Sequence, residues 1–316
     1  MSVLESIKEK IESSNSILIV THTNPDGDAM GSSLGLMSAI KKIGKTGAVY
    51  IPVPNKMFSY LPGYSEILKE NVNPNDYDLC IALDASDLER LGECRETFEA
   101  IEDTIVIDHH ITNQSYADIN YLNAVASSTC ENLIVVLAAM NIAINKEIAE
   151  SLYTGILTDT GAFRYNVQPE TYEFVAMLTE TGVETAKIYR RLFDLTTLEK
   201  TKLLARALER LEIYEEGKVA FSYITKQDLE DLNLDESDSE GIVNFGRNID
   251  GTEVSIFIKE QDGKYKISMR ANEYVDVSVV ASKFAGGGHV RAAGFESMMT
   301  MDQIKTALLE ELKKQL

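Results

Sequence analysis

Histidines and aspartates at the ends of apolar runs are the residues of this chain best suited to chemistry. His22, Asp26 and Asp28 lie in the segment HTNPDGDAMGS, directly after the run SILIVT, and Asp84 ends the run LCIALD. Clustered carboxylates repel one another and have raised pKa values unless a cation lies between them. Carboxylates with one or two imidazoles suit manganese or magnesium, and carboxylates this numerous can bridge two ions. The pattern predicts a divalent-metal site, although NPDG alone also fits an ordinary surface turn.

Further candidates for the same site follow a third apolar run and an apolar helical pattern. Asp108, His109 and His110 come at the end of TIVIDHH, and Asp159 lies in TGILTDTGAFRY. The apolar pattern before Asp159 favours a buried or cleft-facing carboxylate, while a plain helix end is the alternative at this position. These segments add two imidazoles and two carboxylates to the candidate residues.

A glycine-rich cluster near the C-terminus has the composition of a phosphate site. Gly286, Gly287 and Gly288 precede His289 in GGGHVRAAGF. Consecutive glycines expose main-chain amides and tolerate positive φ, so they could hold a phosphate beside the imidazole, although a flexible hairpin also explains them. Upstream, two arginines are candidates for bidentate phosphate contacts or for surface ion pairs, namely Arg247 and Arg270.

The elements that must position these residues alternate between strands and helices. Short apolar runs at 16–21, 48–53, 79–84 and 104–108 read as strands, and 29–43 reads as a helix that Gly44 ends. Continuous apolar strands interleaved with helices predict an α/β fold with a parallel sheet covered on both faces. In such a sheet, loops at the carboxyl ends of the strands line the ligand crevice.

The second half of the chain has a different texture and predicts a smaller mixed α/β domain. Thr196 to Glu216 reads as one amphipathic helix ended by Gly217, and strands follow around 218–224, 253–259 and 264–270, with a final helix from Met301. We expect an active-site cleft between the two domains. The predicted divisions are a catalytic metal-binding domain at 1–190, a linker helix at 191–216 and a substrate-binding domain at 217–316.

Length, composition and charge agree with two globular domains and limit the partners. The chain has 316 residues, 44% hydrophobic and 25% charged, with a net charge of −20. Long nucleic acid is disfavoured because its binding relies on a basic surface, whereas a short anionic ligand is not. No apolar run approaches the roughly 20 residues of a membrane span and no apolar signal core is present, so we expect a cytoplasmic protein with no membrane partner. The three cysteines lack CxxC spacing and are expected to be reduced thiols.

Three other readings lack their motifs. The chain has no GxGxxG after its first strand, no GxxxxGK[ST] and no GxSxG, which argues against a dinucleotide fold, a P-loop and a serine hydrolase.

The ordered motifs HTNPDGDAMGS, LDASD, Asp108-His109-His110, TGILTDTGAFRY and GGGHVRAAGF resemble the DHH phosphoesterases with a DHH-associated C-terminal domain. Within them the chain is most similar to the nanoRNase type, the bifunctional oligoribonucleases and 3′-phosphoadenosine-5′-phosphate (pAp) phosphatases. The resemblance implies two manganese ions. It places His22, Asp26 and Asp84 on one ion, and on the other Asp28, Asp84, His109 and Asp159.

The resemblance also implies metal-assisted hydrolysis of phosphate esters. His110 would face the scissile phosphate and Asp108 would orient a histidine ligand, while Arg247, Arg270, Gly286, Gly287, Gly288 and His289 would bind substrate. The implied substrates are short single-stranded RNA, dinucleotides and pAp, and a homodimer is compatible with the sequence. Ala271 departs from the serine expected after Arg270.

Alternative functions remain at this stage. They are a cyclic dinucleotide phosphodiesterase, a family II-like pyrophosphatase, a RecJ-like single-strand exonuclease and a non-catalytic nucleotide sensor. The pyrophosphatase would lack the GGGH segment, and the sensor would be expected to have lost ligands.

Overall fold

The computed structural model describes residues 2–316, and the chain divides after Leu195 into two compact units. We call them unit 1 and unit 2, the latter running Thr196–Leu316. The helices and strands of unit 1 are α1 Val3–Ser13, β1 Ser16–Thr21, α2 Gly27–Lys42, β2 Thr46–Tyr50, β3 Leu79–Leu83, α3 Arg95–Ala100, β4 Asp103–Asp108, β5 Ile119–Leu122, α4 Thr129–Ala139, α5 Lys146–Asp159, α6 Pro169–Glu180 and α7 Thr185–Tyr189.

Unit 1 is built on a parallel sheet, as the apolar runs predict, and the sheet has five strands in the order β2-β1-β3-β4-β5. Successive side chains of a strand point to opposite faces. Ile17 and Ile19 accordingly pack into a core with α1, α2, α4 and α5, whereas Leu18 and Val20 pack against α3 on the other face. The predicted covering of both faces is confirmed.

The register of the three central strands brings the candidate residues to one row. Thr21 of β1 pairs with Leu83 of β3, and Leu83 pairs with Ile107 of β4. The next residues along the chain are His22, Asp84 and Asp108. They therefore stand together at the carboxyl edge of the sheet, where a parallel sheet places its ligand site.

Two local features of unit 1 differ from the sequence prediction. Helix α2 begins at Gly27 rather than Ala29, because the Asp26 side chain accepts hydrogen bonds from the N–H groups of Asp28 and Ala29 and caps the helix there. Strand β5, at the sheet edge, was not predicted. Three of its four residues are only partly buried and Leu122 is exposed, so the strand gives a weak apolar signal.

All three cysteines lie in unit 1 as free, buried thiols. Burial raises the pKa of Cys80 and of Cys130, and it raises that of Cys94 to about 12. In the described part of the chain, no helix combines the length and apolar character needed to cross a membrane.

Unit 2 contains a six-stranded mixed sheet in the order β10-β11-β9-β8-β7-β6, in which only the β7–β8 pair is parallel. One face packs on α11 and α12, and a smaller apolar cluster joins α8, α9 and α10 to the other face. Its elements are α8 Leu198–Glu209, β6 Glu212–Tyr214, β7 Val219–Ile224, α9 Lys226–Leu232, α10 Val243–Arg247, β8 Val254–Gln261, β9 Lys264–Ala271, α11 Val277–Ser282, β10 Gly287–His289, β11 Ala292–Ser297 and α12 Met301–Leu312.

The predicted helix Thr196–Glu216 is wrong in its second half. Helix α8 is capped by the Thr197 side chain but ends at Glu209, and residues 212–214 form the edge strand β6. Ile213 pairs with Ala220 of β7, and the Tyr214 ring packs edge-on against Phe221. Pairing with a distant strand thus overrides the helical pattern of the local sequence.

A buried ion cluster ties α8 to α9. Asp228 is 3% exposed and pairs with Arg210 and, at 2.9 Å, with Arg206. Its carboxylate also accepts the N–H of Thr225 at 2.8 Å. Burial alone would raise the pKa of Asp228, but the hydrogen bonds from Arg210, Thr225 and Arg206 outweigh burial and lower this pKa well below its usual range.

Candidate metal centre

Asp84 is central to the cluster at the carboxyl edge of the unit 1 sheet. It follows β3 in a left-handed conformation (φ 56°) that is uncommon for a residue with a side chain, and such strain is concentrated at functional sites. Its Oδ2 lies 3.6 Å from Nε2 of His22, and its Oδ1 lies 3.6 Å from Nε2 of His109. The two carboxylate oxygens thus face different imidazoles.

His22 and Asp26 lie on one side of Asp84. The His22 ring is 5% exposed, and its Nδ1 lies 2.7 Å from the carbonyl oxygen of Thr23, which leaves Nε2 directed at Asp84. One ligand atom each from His22, Asp26 and Asp84 fall within 4.8 Å of one another. This spacing fits shared coordination of a single ion.

Asp28, His109 and Asp159 form a second group, whose ligand atoms also lie within 4.8 Å of one another. Nε2 of His109 is 3.4 Å from Oδ2 of Asp159 and 4.0 Å from Oδ2 of Asp28. Asp28 is completely buried, and its carboxylate accepts the N–H groups of Thr129 at 2.6 Å and Cys130 at 2.9 Å. Amides at the start of α4 therefore fix this carboxylate.

Three carboxylates of these groups, those of Asp28, Asp84 and Asp159, are poorly accommodated as bare anions. Burial, followed by the charge of Asp28, raises the pKa of Asp84. Burial also raises the pKa of Asp28 to about 6 and that of Asp159 to about 7. Divalent cations would remove this penalty by compensating the charge, so the donor set fits metal ions of the kind that prefer oxygen and imidazole ligands.

Asp108 contacts histidines differently from the expectation. Its carboxylate Oδ1 accepts Nδ1–H of His110 at 2.8 Å, but it contacts only the main-chain N–H of His109, also at 2.8 Å. It therefore orients the ring of His110, the residue expected to face phosphate, rather than the ring of His109. Burial alone would raise the pKa of Asp108, but hydrogen bonds from His110 and Asn113 outweigh burial and lower it. The same hydrogen bond raises the pKa of His110 to about 9.

A close helix contact sets the position of Asp28 relative to α5. A Cβ on Gly155 would lie 2.8 Å from Oδ1 of Asp28, and a Cβ on Gly27 would overlap the side chain of Thr158. Only glycine at these two positions lets α2 and α5 approach so closely. Asp28 in the first turn of α2 and Asp159 at the end of α5 can then belong to one group.

Sequence reasoning missed three residues that support the cluster. The Thr129 hydroxyl donates to Oδ1 of Asp84 at 3.0 Å, and the Asn113 amide donates to Oδ2 of Asp108 at 2.6 Å. The amide of Asn132 donates to the carbonyl oxygen of Asp108 at 3.0 Å. Of these three residues, only Thr129 lies in a recognisable pattern, because the sequence SST is typical of a helix start. That pattern does not indicate a contact with Asp84.

Unit 2 has a separate cavity of about 850 Å³ on the face of its sheet that also bears α8, α9 and α10. Arg270, Ser268 and Lys266 are every second residue of β9, and all three line the cavity. Gly294 of β11 pairs with Ser268, and Gly287 of β10 pairs with Gly294, so both continue the row of Ser268 across the sheet. The row of small residues Ser268, Gly294 and Gly287 lies between the positions of Arg270 and Lys266, and Glu236, Glu240 and Glu296 also line the cavity. Of the residues expected to bind substrate, only Arg270 and Gly287 line this cavity.

The other expected substrate contacts have different surroundings. Arg247 lies at the end of α10, and its charge, after burial, lowers the pKa of Arg270. His289 is exposed on β10. Gly286 and Gly288 have steric reasons to be glycine, because a Cβ would lie 2.9 Å from Cα of Phe295 or 2.6 Å from Cα of Ala293. The triplet is thus part of an antiparallel hairpin, and Gly287 alone of the three faces open space.

The absence of serine at Ala271 leaves the Arg270 side of the sheet unaffected. Ala271 is 1% exposed and packs in the core beneath α11 and α12, on the opposite face from the cavity. Sequence reasoning did not select Lys259, which is nearly buried at the cavity wall and donates to the carbonyl oxygen of Glu236 at 3.0 Å.

Two domain families match the two units. The DHH family, N-terminal domain, matches residues 16–156, and the DHHA1 domain matches residues 216–316. With the parallel sheet, the clustered carboxylates and imidazoles, and the relatives described next, these matches define the class: the chain belongs to the DHH family and is a phosphoesterase.

Two relatives and one solved structure are similar to this chain over nearly its whole length. The chain is 32% identical to the bifunctional oligoribonuclease and PAP phosphatase NrnA of Thermus thermophilus, covering 95% of this chain and 90% of that protein. It is 30% identical to the probable bifunctional oligoribonuclease and PAP phosphatase NrnA of Streptococcus mutans, covering 94% of each. The crystal structure of an exopolyphosphatase-related protein from Bacteroides fragilis matches with a TM-score of 0.86 at 30% identity, covering 99% of this chain and 96% of that one.

Proposed function

We propose that this chain is a manganese-dependent phosphoesterase that hydrolyses short oligoribonucleotides to mononucleotides and removes a phosphate from pAp to give AMP. The observation that carries the proposal is the convergence of six side chains of metal-ligand type at one sheet edge: His22, Asp26, Asp28, Asp84, His109 and Asp159. The two relatives named as oligoribonuclease and PAP phosphatase support this substrate class.

We assign two ions to the centre. His22, Asp26 and Asp84 would hold one ion. Asp28, His109 and Asp159, with the second oxygen of Asp84, would hold the other. Divalent ions bound there supply Lewis-acid chemistry, lowering the pKa of a water molecule and stabilising negative charge on phosphoryl oxygens.

His110 is the residue of unit 1 that we assign to the phosphate. Its Nδ1 carries the proton that is donated to Asp108, since that buried carboxylate has a lowered pKa and can only accept. Its Nε2 is therefore free to contact a phosphoryl oxygen, and the side chain is 40% exposed. Asp108 acts by holding the ring in this orientation.

We assign nucleotide binding to unit 2. In its cavity, Arg270 and Lys266 offer cationic groups, and Gly287 and Gly294 allow close approach to the main chain. His289 is exposed on β10, the strand that contributes Gly287 to the cavity lining, and it is a further contact for a flexible ligand. The net charge of −20 favours short ligands, because every extra phosphate must pass a negative surface.

The test compares substrates side by side. Purified protein with manganese is incubated with labelled RNA of two to ten nucleotides and a 24-mer, pAp, a cyclic dinucleotide and pyrophosphate, and the products are separated. We expect AMP from pAp, mononucleotides from RNA, and a steep fall in rate beyond about five nucleotides. Turnover of pyrophosphate alone, or equal rates on the 5-mer and the 24-mer, would contradict the proposal.

A variant tests the assignment of unit 2. His289→Ala should keep its manganese yet lose activity on dinucleotides more than on a small chromogenic phosphodiester, which needs little nucleotide contact. Both KM and kcat should worsen if the contact positions the phosphoryl group, because misplacement by about 1 Å can cost about 100-fold. Loss of metal, or equal loss on both substrates, would remove His289 from nucleotide binding.

A further inference from the structure

We infer that Thr129 is a positioning residue of the metal centre, and that its hydroxyl determines how Asp84 is shared between the two groups of ligands. This inference rests on the proposed metal-dependent function. It concerns a residue outside both ligand groups, at the first position of α4.

Thr129 contacts both central carboxylates at once. Its main-chain N–H donates to Oδ2 of Asp28 at 2.6 Å, and its hydroxyl donates to Oδ1 of Asp84 at 3.0 Å. The residue is completely buried, so both hydrogen bonds are shielded from water. Hydrogen bonds to charged groups in such surroundings are among the strong ones.

The hydroxyl selects one orientation of the Asp84 carboxylate. Oδ1 receives the Thr129 hydroxyl and faces His109, while Oδ2 faces His22. If Asp84 served one ion through each oxygen, a partner that fixes the rotation of its carboxylate would keep both oxygens directed at their own group. Without the hydroxyl, Asp84 could turn toward either group.

Helix capping does not explain this hydroxyl. The cap of α4 is Ser128, whose side chain accepts the N–H of Glu131 at 3.2 Å. The Thr129 hydroxyl therefore has Asp84, 45 positions away in the chain, as its partner instead of a helix amide. A role in packing alone would also be filled by valine, which has nearly the same shape.

Three variants separate the hydroxyl from the rest of the side chain. Thr129→Val keeps the shape and the N–H to Asp28 but removes the hydroxyl, whereas Thr129→Ser keeps the hydroxyl. Thr154→Val is the matched control, because it removes a buried hydroxyl that bonds to Tyr60 at 3.0 Å and lies outside both ligand groups.

The experiment is calorimetric titration of the metal-free, full-length proteins with manganese, together with their metal-free thermal unfolding. We expect wild type to bind two ions, and Thr129→Val to bind one of them about 10–100-fold more weakly, the usual cost of losing a group that orients a ligand. Thr129→Ser and Thr154→Val should bind both ions as wild type does. The metal-free melting temperature of Thr129→Val should fall, because a buried hydrogen bond is lost, but the variant should remain folded at the temperature of the titration.

The outcomes distinguish this inference from the proposed function. Two ions bound by Thr129→Val with unchanged affinity would overturn the inference alone, as would equal weakening in Thr129→Ser or Thr154→Val. Failure of wild type to bind manganese would overturn the proposed centre and the inference with it. If Thr129→Val does not fold, Thr129→Ala makes the same hydroxyl deletion with a smaller side chain and is judged by the same titration.

Discussion

Removing the metal should make the stability of unit 1 fall as pH rises, and Asp28→Asn should reveal the cause. In the metal-free protein, burial raises the pKa of Asp28 from 3.8 to about 6. A carboxyl whose pKa is higher in the folded than in the unfolded state favours folding fully below pH 3.8, and this contribution is lost as pH rises through about 6. The difference corresponds to about 3 kcal/mol for this single group.

The expected change in melting temperature is readily measured. For a domain of 150–250 residues, about 1 kcal/mol shifts the melting temperature by roughly 2–4 °C, so about 3 kcal/mol corresponds to roughly 6–12 °C. Asp159, whose pKa rises to about 7 mainly through burial, acts in the same direction. The metal-free protein should therefore lose stability between pH 4 and pH 7.5 through these two groups.

Asp28→Asn isolates the contribution of one carboxylate. Each oxygen of Asp28 accepts one amide N–H, from Thr129 or Cys130, and the NH2 group of asparagine cannot accept, so the variant should be less stable than wild type near pH 4. As pH rises to 7.5 without metal, this deficit should shrink by up to about 3 kcal/mol, because only wild type then carries the buried charge. Saturating manganese should widen the deficit again, because only wild type has the complete ligand set.

The assay is thermal unfolding of both proteins at pH 4, 5, 6 and 7.5, with chelator or with manganese. A constant difference between the two metal-free proteins across this range would refute the reasoning, since it would mean that Asp28 ionises without cost in the folded state. A variant stabilised by manganese as strongly as wild type would remove Asp28 from the centre.

Three further perturbations test other parts of the structure. Asp84→Ala should abolish turnover and lower bound manganese, because one carboxylate serves both groups; metal analysis and turnover measure this. Gly287→Ala should leave the melting temperature unchanged and weaken nucleotide binding, whereas Gly288→Ala, at φ 143° with no space for a Cβ, should lower the melting temperature. Asp228→Ala should destabilise unit 2 at pH 7 by about 3–5 kcal/mol, and the difference should shrink as pH falls below about 4, because its lowered pKa stabilises the fold only while it is ionised.

Each of these has a clear contrary result. Normal turnover with two ions bound in Asp84→Ala would exclude this residue from the centre. Equal melting temperatures for the two glycine variants would show that the hairpin tolerates a Cβ at both positions. A pH-independent deficit in Asp228→Ala would mean that packing rather than charge connects α8 to α9.

The strand ends could be predicted from sequence because their signal is local. Three apolar runs bounded by turn residues placed His22, Asp84 and Asp108 at the carboxyl ends of strands, and a parallel sheet brings such ends together. The second half of the predicted helix at 196–216 failed because residues 212–214 pair with β7, which the local pattern does not reveal.

The supporting residues of the centre could not be predicted for a similar reason. A threonine in the first turn of a helix is ordinary in a sequence, and the hydroxyl of Thr129 becomes informative only when its distance to Asp84 is known. Which face of the unit 2 sheet a side chain occupies likewise depends on strand register. Arg270 lies on the face of β9 that lines the cavity, while Ala271 lies on the opposite face, in the core. From the sequence, all three glycines were expected to bind phosphate. In the structure, Gly286 and Gly288 are glycines for steric reasons, and Gly287 alone faces open space.

Because all three cysteines lie in unit 1, the opening of this unit can be followed in solution separately from that of unit 2. Every thiol of the chain belongs to unit 1, and each thiol is buried and has a raised pKa. A thiol reagent therefore encounters almost no accessible thiolate while unit 1 is folded. Alkylation then proceeds only through opening of unit 1, and its rate reports the free energy of that opening without interference from unit 2. Native protein can also be handled without reductant, and the reactivity of Cys80, Cys94 and Cys130 gives three reporters at different places in one domain.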